Sequence, residues 1–219
     1  MKKPLILAVA LLTVLSAYAL TAREAFVRIE TPSLNLLTVQ MRQDLLSYYD
    51  ADTLRQVPNA LGGLSQLTRP LTDDYLKVRI TPVSTMAVKT IPTGKDTIVA
   101  TIYTIAAPGQ AADSQVTFYD SRLRKLPTHR FLRLAQIDEF IETGRNREGR
   151  EQKMRLLSLI PYPTVEYTFA PDGDTVTAHL TVADYLGAET LHQLERHIRP
   201  HLTYVWNGHK YELQKKIVR

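Results

Sequence analysis

Cysteine is absent from this 219-residue sequence. The chain is therefore neither a disulfide scaffold nor a thiolate metal protein. It is not a bacterial lipoprotein either, because the lipid of such a protein is attached to a cysteine. A domain of about 200 residues buries roughly 70% of its unfolded surface, so a hydrophobic core alone can hold it together.

A long membrane-spanning run is also missing, because the apolar stretch 4–15 is shorter than the ~20 residues that a span needs. Lys2 and Lys3 precede this stretch and Ala17-Tyr18-Ala19 follows it, which is the order found in a secretory signal peptide. We expect residues 1–19 to be removed and residues 20–219 to form one globular domain without a stable span. An uncleaved anchor is the alternative. Export to the periplasm follows, with the extracellular space as a second address.

A concentrated basic face is not evident, although the formal charge is +5 and falls to +3 once Lys2 and Lys3 leave. This excludes a nucleic-acid protein, which carries its positive charge on one surface. A basic cluster does occur in residues 145–155, but Glu148 and Glu151 interrupt it. The pattern favours a solvated linker or helix face, with an anionic envelope surface as the alternative partner. The cluster consists of Arg145, Arg147, Arg150, Lys153 and Arg155.

The first half of the chain changes from a helical period to a strand period. Apolar residues at three- and four-residue steps predict an amphipathic helix that begins at Ser33 and ends near Tyr49. A turn-rich stretch follows. Residues 75–126 alternate and predict an antiparallel meander of about five strands, with 97–105 as a central strand covered on both faces.

The second half repeats this order loosely. We expect helices over 134–141, 152–160 and 188–198, strands over 165–169 and 176–182, and a last hairpin in which Asn207-Gly208 forms a two-residue turn. The fold class is therefore α+β, with antiparallel sheets and packed helices. Residues 26–128 and 129–219 are candidates for two related helix-plus-meander units.

Four stretches of the sequence resemble a known family. They are Met41–Asp50, Val57–Ser65, Thr72–Val78 and Asp113–Asp120. Together they resemble an uncharacterised exported family of Bacteroidales, domain of unknown function 3256. The resemblance extends over nearly all of residues 20–219. It implies a Gram-negative periplasmic setting, and it brings neither an established activity nor catalytic residues.

Catalytic and ligand motifs are missing as well. His192, His197 and His201 lack the spacing of a zinc helix, and no metal or cofactor is expected. We therefore expect a non-enzymatic binding or envelope-assembly module, whose partner is an unknown envelope protein or glycan. The alternative is an envelope-polymer hydrolase. Tyr119 and Trp206, at two hairpin ends, are the candidate binding residues, because exposed aromatic side chains favour interfaces.

Overall fold

The computed structural model describes residues 19–94 and 96–214. The predicted signal peptide, apart from Ala19, lies outside these residues. Four α-helices occur in the described part: α1 Ala22–Arg28, α2 Val39–Asp50, α3 Arg147–Ser158 and α4 Ala188–Leu194. Short 3-10 helices cover Pro32–Leu34, Thr128–Arg130, Ile137–Phe140 and Val182–Asp184. None of the described helices has the length and apolarity needed to cross a bilayer.

Seven strands form one antiparallel meander in chain order. They are β1 Val57–Pro58, β2 Leu64–Thr68, β3 Tyr75–Thr81, β4 Ser84–Thr93, β5 Asp96–Ile105, β6 Asp113–Tyr119 and β7 Lys125–Leu126. The meander predicted over 75–126 is confirmed, and β5 is covered on both faces as expected. The sheet is larger than predicted, because β1 and β2 lie in the stretch that looked turn-rich.

A second antiparallel sheet has the order β11-β10-β9-β8. Its strands are β8 Val165–Phe169, β9 Thr175–Leu180, β10 His201–Trp206 and β11 Tyr211–Leu213. Its inner face shares one hydrophobic core with the large sheet, and the two sheets are joined at β6 and β8. Ser114 Oγ accepts from the Tyr167 amide at 3.1 Å, and Asp113 Oδ1 accepts from the Val165 amide at 3.2 Å.

The opposite face of the large sheet packs against α1 and α2 in a second core. A capping box at Thr21 and Glu24 begins α1, and Ala22, Ala25 and Phe26 are fully buried. The molecule therefore has a helical layer, a seven-stranded layer and a four-stranded layer. The α+β prediction is confirmed. The division into two related units stays a prediction.

Several predicted boundaries are wrong. Thr38, not Ser33, caps α2, because residues 32–34 form a separate 3-10 turn. The helix predicted over 134–141 is reduced to the 3-10 turn at 137–140, and α4 ends at Leu194. The last hairpin has a four-residue loop, 207–210, in which Gly208 adopts φ +96°.

Candidate functional site

A surface concavity of about 740 Å³ lies beside the four-stranded sheet. Its volume is in the range of small-molecule sites, but charged rather than apolar side chains dominate its wall. We name it the charged concavity. Its lining residues are Asp138, Glu139, Ile141, Glu142, Thr143, Gly144, Arg145, Arg150, Lys153, Arg199 and Leu213.

Residues 138–142 and residues 197–199 form two walls of the charged concavity, and backbone hydrogen bonds join them. The Glu142 amide donates to the His197 carbonyl at 2.7 Å, and the Arg199 amide donates to the Phe140 carbonyl at 2.7 Å. Ile141 also bridges to Ile198. These long-range bonds explain why the predicted helix does not extend through residues 140–142: their backbone groups pair with 197–199 instead.

The third wall is the first turn of α3. Asn146 caps this helix, and its Oδ1 accepts from the Gly149 amide at 2.9 Å. Gly149 is buried against the preceding loop so closely that a Cβ atom there would lie 2.0 Å from the Gly144 carbonyl oxygen. The absence of a side chain at Gly149 therefore allows the loop that carries Arg145 to pass this close to α3.

Carboxylates in the concavity are matched by cations. Glu142 Oε1 lies 3.0 Å from Arg199 Nε, Asp138 Oδ2 lies 3.8 Å from Lys153 Nζ, and Glu139 pairs with Arg133. Arg145 and Arg150 have no ion-pair partner in the part of the chain that the structure describes. Arg150 Nη1 instead donates to the Arg145 carbonyl at 2.8 Å. The wall formed by these two arginines therefore presents uncompensated positive charge.

The pKa values of the carboxyl groups bear on whether one of them could act as a catalytic acid. Each carboxyl group with a shifted pKa has it lowered, as when the Thr21 and Arg23 hydrogen bonds lower the pKa of Glu24 and Asp50. A catalytic carboxylic acid needs the opposite shift. The carboxyl groups with lowered pKa values, Glu24, Asp50, Asp74, Asp96 and Asp120, all lie away from the concavity.

Buried tyrosines of the four-stranded sheet do not line the concavity either. Burial raises the pKa of Tyr167 to about 12, and its hydroxyl accepts from the Ala135 amide at 2.7 Å. Burial also raises the pKa of Tyr204 and Tyr211. All three hydroxyls thus remain protonated at neutral pH.

Comparison with known proteins places this architecture in a family. The sequence profile described as "Protein of unknown function (DUF3256)" matches residues 14–211. The chain belongs to the DUF3256 family. The resemblance seen in the sequence is thereby confirmed. No curated protein matches.

A solved structure has the same fold as this DUF3256 member. It is described as a domain of an uncharacterized protein from Porphyromonas gingivalis W83. The two share 19% sequence identity with a TM-score of 0.75, over 92% of this chain and 100% of that chain. At this identity the likeness concerns the fold and carries no site residues across.

The two aromatic residues singled out in the sequence are not brought together. Tyr119 is 5% exposed in the core beneath the helices, so the exposure expected of it is wrong. Trp206 is half-buried in the other core, where its ring lies edge-on to Tyr211 with centroids 5.1 Å apart. Neither lines the charged concavity, and a binding role for them stays a prediction.

The histidine cluster of this DUF3256 chain separates in the same way. His192 pairs with Glu195 at 2.9 Å on the surface, and His197 contacts Gln152. His201 stacks on His179 of the neighbouring strand, with ring centroids 4.5 Å apart. Burial and the adjacent His179 lower the pKa of His201. Only the strand register brings these two rings together, so spacing in the sequence could not reveal the pair.

Proposed function

We propose that this protein is an exported, non-enzymatic envelope module that binds an anionic ligand in the charged concavity. The observation that carries the proposal is the wall formed by Arg145 and Arg150, two guanidinium groups without a carboxylate partner among residues 19–94 and 96–214. Guanidinium groups bind carboxylate and phosphate with paired, directional hydrogen bonds. A ligand with several such groups, for example an acidic envelope glycan, fits this wall.

The first turn of α3 adds to the attraction. Its amides carry the positive end of the helix dipole, close to both arginines. The concavity is open to solvent, so added salt should weaken binding. The basic cluster at 145–155, interpreted from sequence as a solvated face, thus divides into two parts. Arg145, Arg150 and Lys153 line the concavity, whereas Arg147 pairs with Glu151 outside it.

A hydrolase that acts on envelope polymers remains the second candidate from the sequence. The concavity does contain three carboxylates, and paired carboxylates are the machinery of glycoside hydrolysis. That chemistry needs one carboxyl group held protonated. Asp138, Glu139 and Glu142 each lie next to a cation, whereas the acid of a glycosidase lies in an apolar pocket. This is the physical reason for preferring binding to catalysis.

Export is part of the proposal and rests on the order of residues 1–19. The capping box at Thr21 supports the cleavage site, because removal of residues 1–19 leaves the first turn of α1 intact. Intact-mass analysis of periplasmic protein should show a chain that begins at Leu20. A periplasmic form that still contains Met1–Ala19 would contradict cleavage.

The ligand proposal is tested by calorimetric titration of the mature protein with a short oligogalacturonate, in which each sugar carries a carboxylate. Combined Arg145→Gln and Arg150→Gln should weaken binding at least about tenfold, because each charge-assisted hydrogen bond contributes about 1.5–3 kcal/mol. The matched control is Arg155→Gln, an exposed cation in the last turn of the same helix.

The control variant should bind like the wild type, and a neutral oligosaccharide of the same length should not bind. Equal weakening by Arg155→Gln would show a diffuse charge effect rather than a site. An affinity unchanged by the double substitution would remove the arginine wall from the account.

A further inference from the structure

Exposed apolar side chains gather at one end of the large sheet. Nine large apolar residues are strongly exposed in the described part of the chain. Five aliphatic members lie at the end where β2 and β4 begin and where β3 and β5 finish. They are Val39, Leu61, Leu64, Val83 and Ile105. Tyr162 and Tyr185, just before β8 and after β9, lie at the same end. These seven residues define the apolar end.

Hydrogen bonds between neighbouring segments connect the apolar end. The Ala60 amide donates to the Leu36 carbonyl at 3.1 Å, next to Val39, and the Ala106 amide donates to the Val83 carbonyl at 2.9 Å. Further across, Thr181 Oγ1 donates to the Ala112 carbonyl at 2.7 Å, and the Tyr185 hydroxyl donates to the Tyr162 carbonyl at 2.5 Å. The seven side chains therefore belong to adjoining segments rather than to scattered loops.

Charge is almost missing from this end. The segments 59–63, 81–84, 105–112, 161–164 and 181–187 contain one charged residue, Asp184, and they adjoin a second, Asp113, which is the β6 partner of Ile105. The opposite end is made of the charged turns 69–74, 120–124 and 170–174. Their charged residues are Arg69, Asp73, Asp74, Asp120, Arg122, Arg124, Asp172 and Asp174. The turns at one end of the molecule are thus rich in charged residues, whereas the segments at the other end are mostly uncharged.

The exposed area is large for a monomer. At roughly 200 Å² for a large residue, the exposed fractions of these seven residues sum to about 750 Å² of surface, which includes their backbone atoms and the two tyrosine hydroxyls. The largest apolar patch of a typical monomer is about 300–600 Å². A standard protein interface takes about 800 Å² from each partner. The apolar end alone nearly supplies that contribution.

We propose that the apolar end is the interface of a head-to-head dimer with a second copy of this chain. A two-fold interface places the same patch on both sides, so a patch rich in one charge sign repels itself. The segments of this patch carry few charges, those of Asp184 and the adjoining Asp113, although the chain as a whole is positive. A charged partner would lose its hydration against this surface without finding an opposite charge. A second apolar end meets both requirements.

The path of the chain leaves this interface accessible. The Ala22 amide donates to the Asp73 carbonyl at 2.9 Å, so the start of α1 lies at the charged end. The charged concavity and the apolar end have no lining residue in common. Dimerisation and ligand binding are therefore tested with different substitutions.

Sedimentation equilibrium of the mature protein over a wide concentration range tests the proposal. Wild-type protein should dimerise, and combined Leu61→Asp and Ile105→Asp should raise the dimer dissociation constant at least about tenfold. The matched control is Leu134→Asp with Met154→Asp, two exposed apolar side chains outside the apolar end. Because all four side chains are exposed, thermal unfolding should show that both double variants remain folded.

Three outcomes would overturn the proposal. The first is a wild-type protein that stays monomeric at every concentration. The second is equal loss of dimer in the control variant. The third is a monomer that binds phosphatidylcholine vesicles through Leu61 and Ile105, because the apolar end would then serve a lipid surface instead of a second copy.

Discussion

Replacing Arg42 with alanine is expected to lower the free energy of unfolding by about 3–5 kcal/mol. Arg42 lies in α2, is 7% exposed, and carries a guanidinium group whose pKa burial lowers. It donates to four backbone carbonyls, those of Phe26, Val27, Ile29 and Leu37, at 2.7–3.1 Å. Alanine would leave buried carbonyls at the end of α1 without donors.

Urea unfolding followed by circular dichroism measures this loss. Arg42→Lys should recover part of the lost stability. An ammonium group keeps the positive charge, but it has only three donors on one nitrogen atom and lacks the planar fork with which the guanidinium group reaches four acceptors. Arg28→Ala is the matched control, since this exposed arginine lies in the last turn of α1 and should change stability by no more than about 0.5 kcal/mol. Similar losses for Arg28→Ala and Arg42→Ala would refute the capping role.

Gly149→Ala should destabilise the protein by about 2–3 kcal/mol, although alanine normally stabilises a helix by about 1 kcal/mol relative to glycine. The added Cβ would lie 2.0 Å from the Gly144 carbonyl oxygen and 2.4 Å from its carbonyl carbon. Backbone atoms cannot turn aside, so the loop that carries Arg145 must move. Ligand affinity in the charged concavity should fall with stability.

The matched control for that substitution is Gly173→Ala. There the nearest neighbour of an added Cβ is the Ala170 side chain at 3.8 Å, an ordinary contact. Unfolding and titration of both variants separate the close approach from a general effect of losing glycine. If Gly149→Ala were more stable than the wild type, the tight contact between this loop and α3 would be wrong.

Strands with period-two alternation were predictable because alternation reports which face is buried. Residues 75–81, 165–169 and 175–180 show this pattern, and each is a strand in the structure. The first two strands were missed because Pro58-Asn59 and Gly62-Gly63 look like loop sequence. They form the turn of a hairpin, in which Asn59 Oδ1 accepts from the Leu61 and Gly63 amides.

Tertiary contacts override local pattern elsewhere. Leu134, Ile137 and Phe140 have helical spacing, yet residues 140–142 use their backbone groups to pair with 197–199. The helical spacing correctly predicts that Phe140 is buried, but it predicts the wrong backbone conformation for this segment. Tyr119 was misplaced for a related reason: the helix that covers its side of the sheet, α1, was not predicted, despite the Thr21 and Glu24 signal.

The candidate site could be predicted only in part. The arginines at 145 and 150 are visible in the sequence as a cluster. Whether they form ion pairs depends on residues far along the chain, because the distant Arg199 pairs with Glu142, the carboxylate nearest to Arg145 in the sequence. The concavity itself arises where 138–145 meets 197–199. Gly149 gives no such signal, because it lies in the charged stretch before the helix predicted over 152–160, and its close approach to Gly144 arises only in the folded chain.

A nuclear magnetic resonance titration of labelled mature protein with oligogalacturonate distinguishes binding from hydrolysis at the charged concavity, because one sample reports both where the ligand binds and whether it is cleaved. Saturable shifts should appear at Arg145, Arg150 and the first turn of α3, while the ligand spectrum shows no new reducing ends. Shifts confined to the hairpin around Trp206 would contradict the site. New reducing ends that grow with time would show that the protein is a hydrolase.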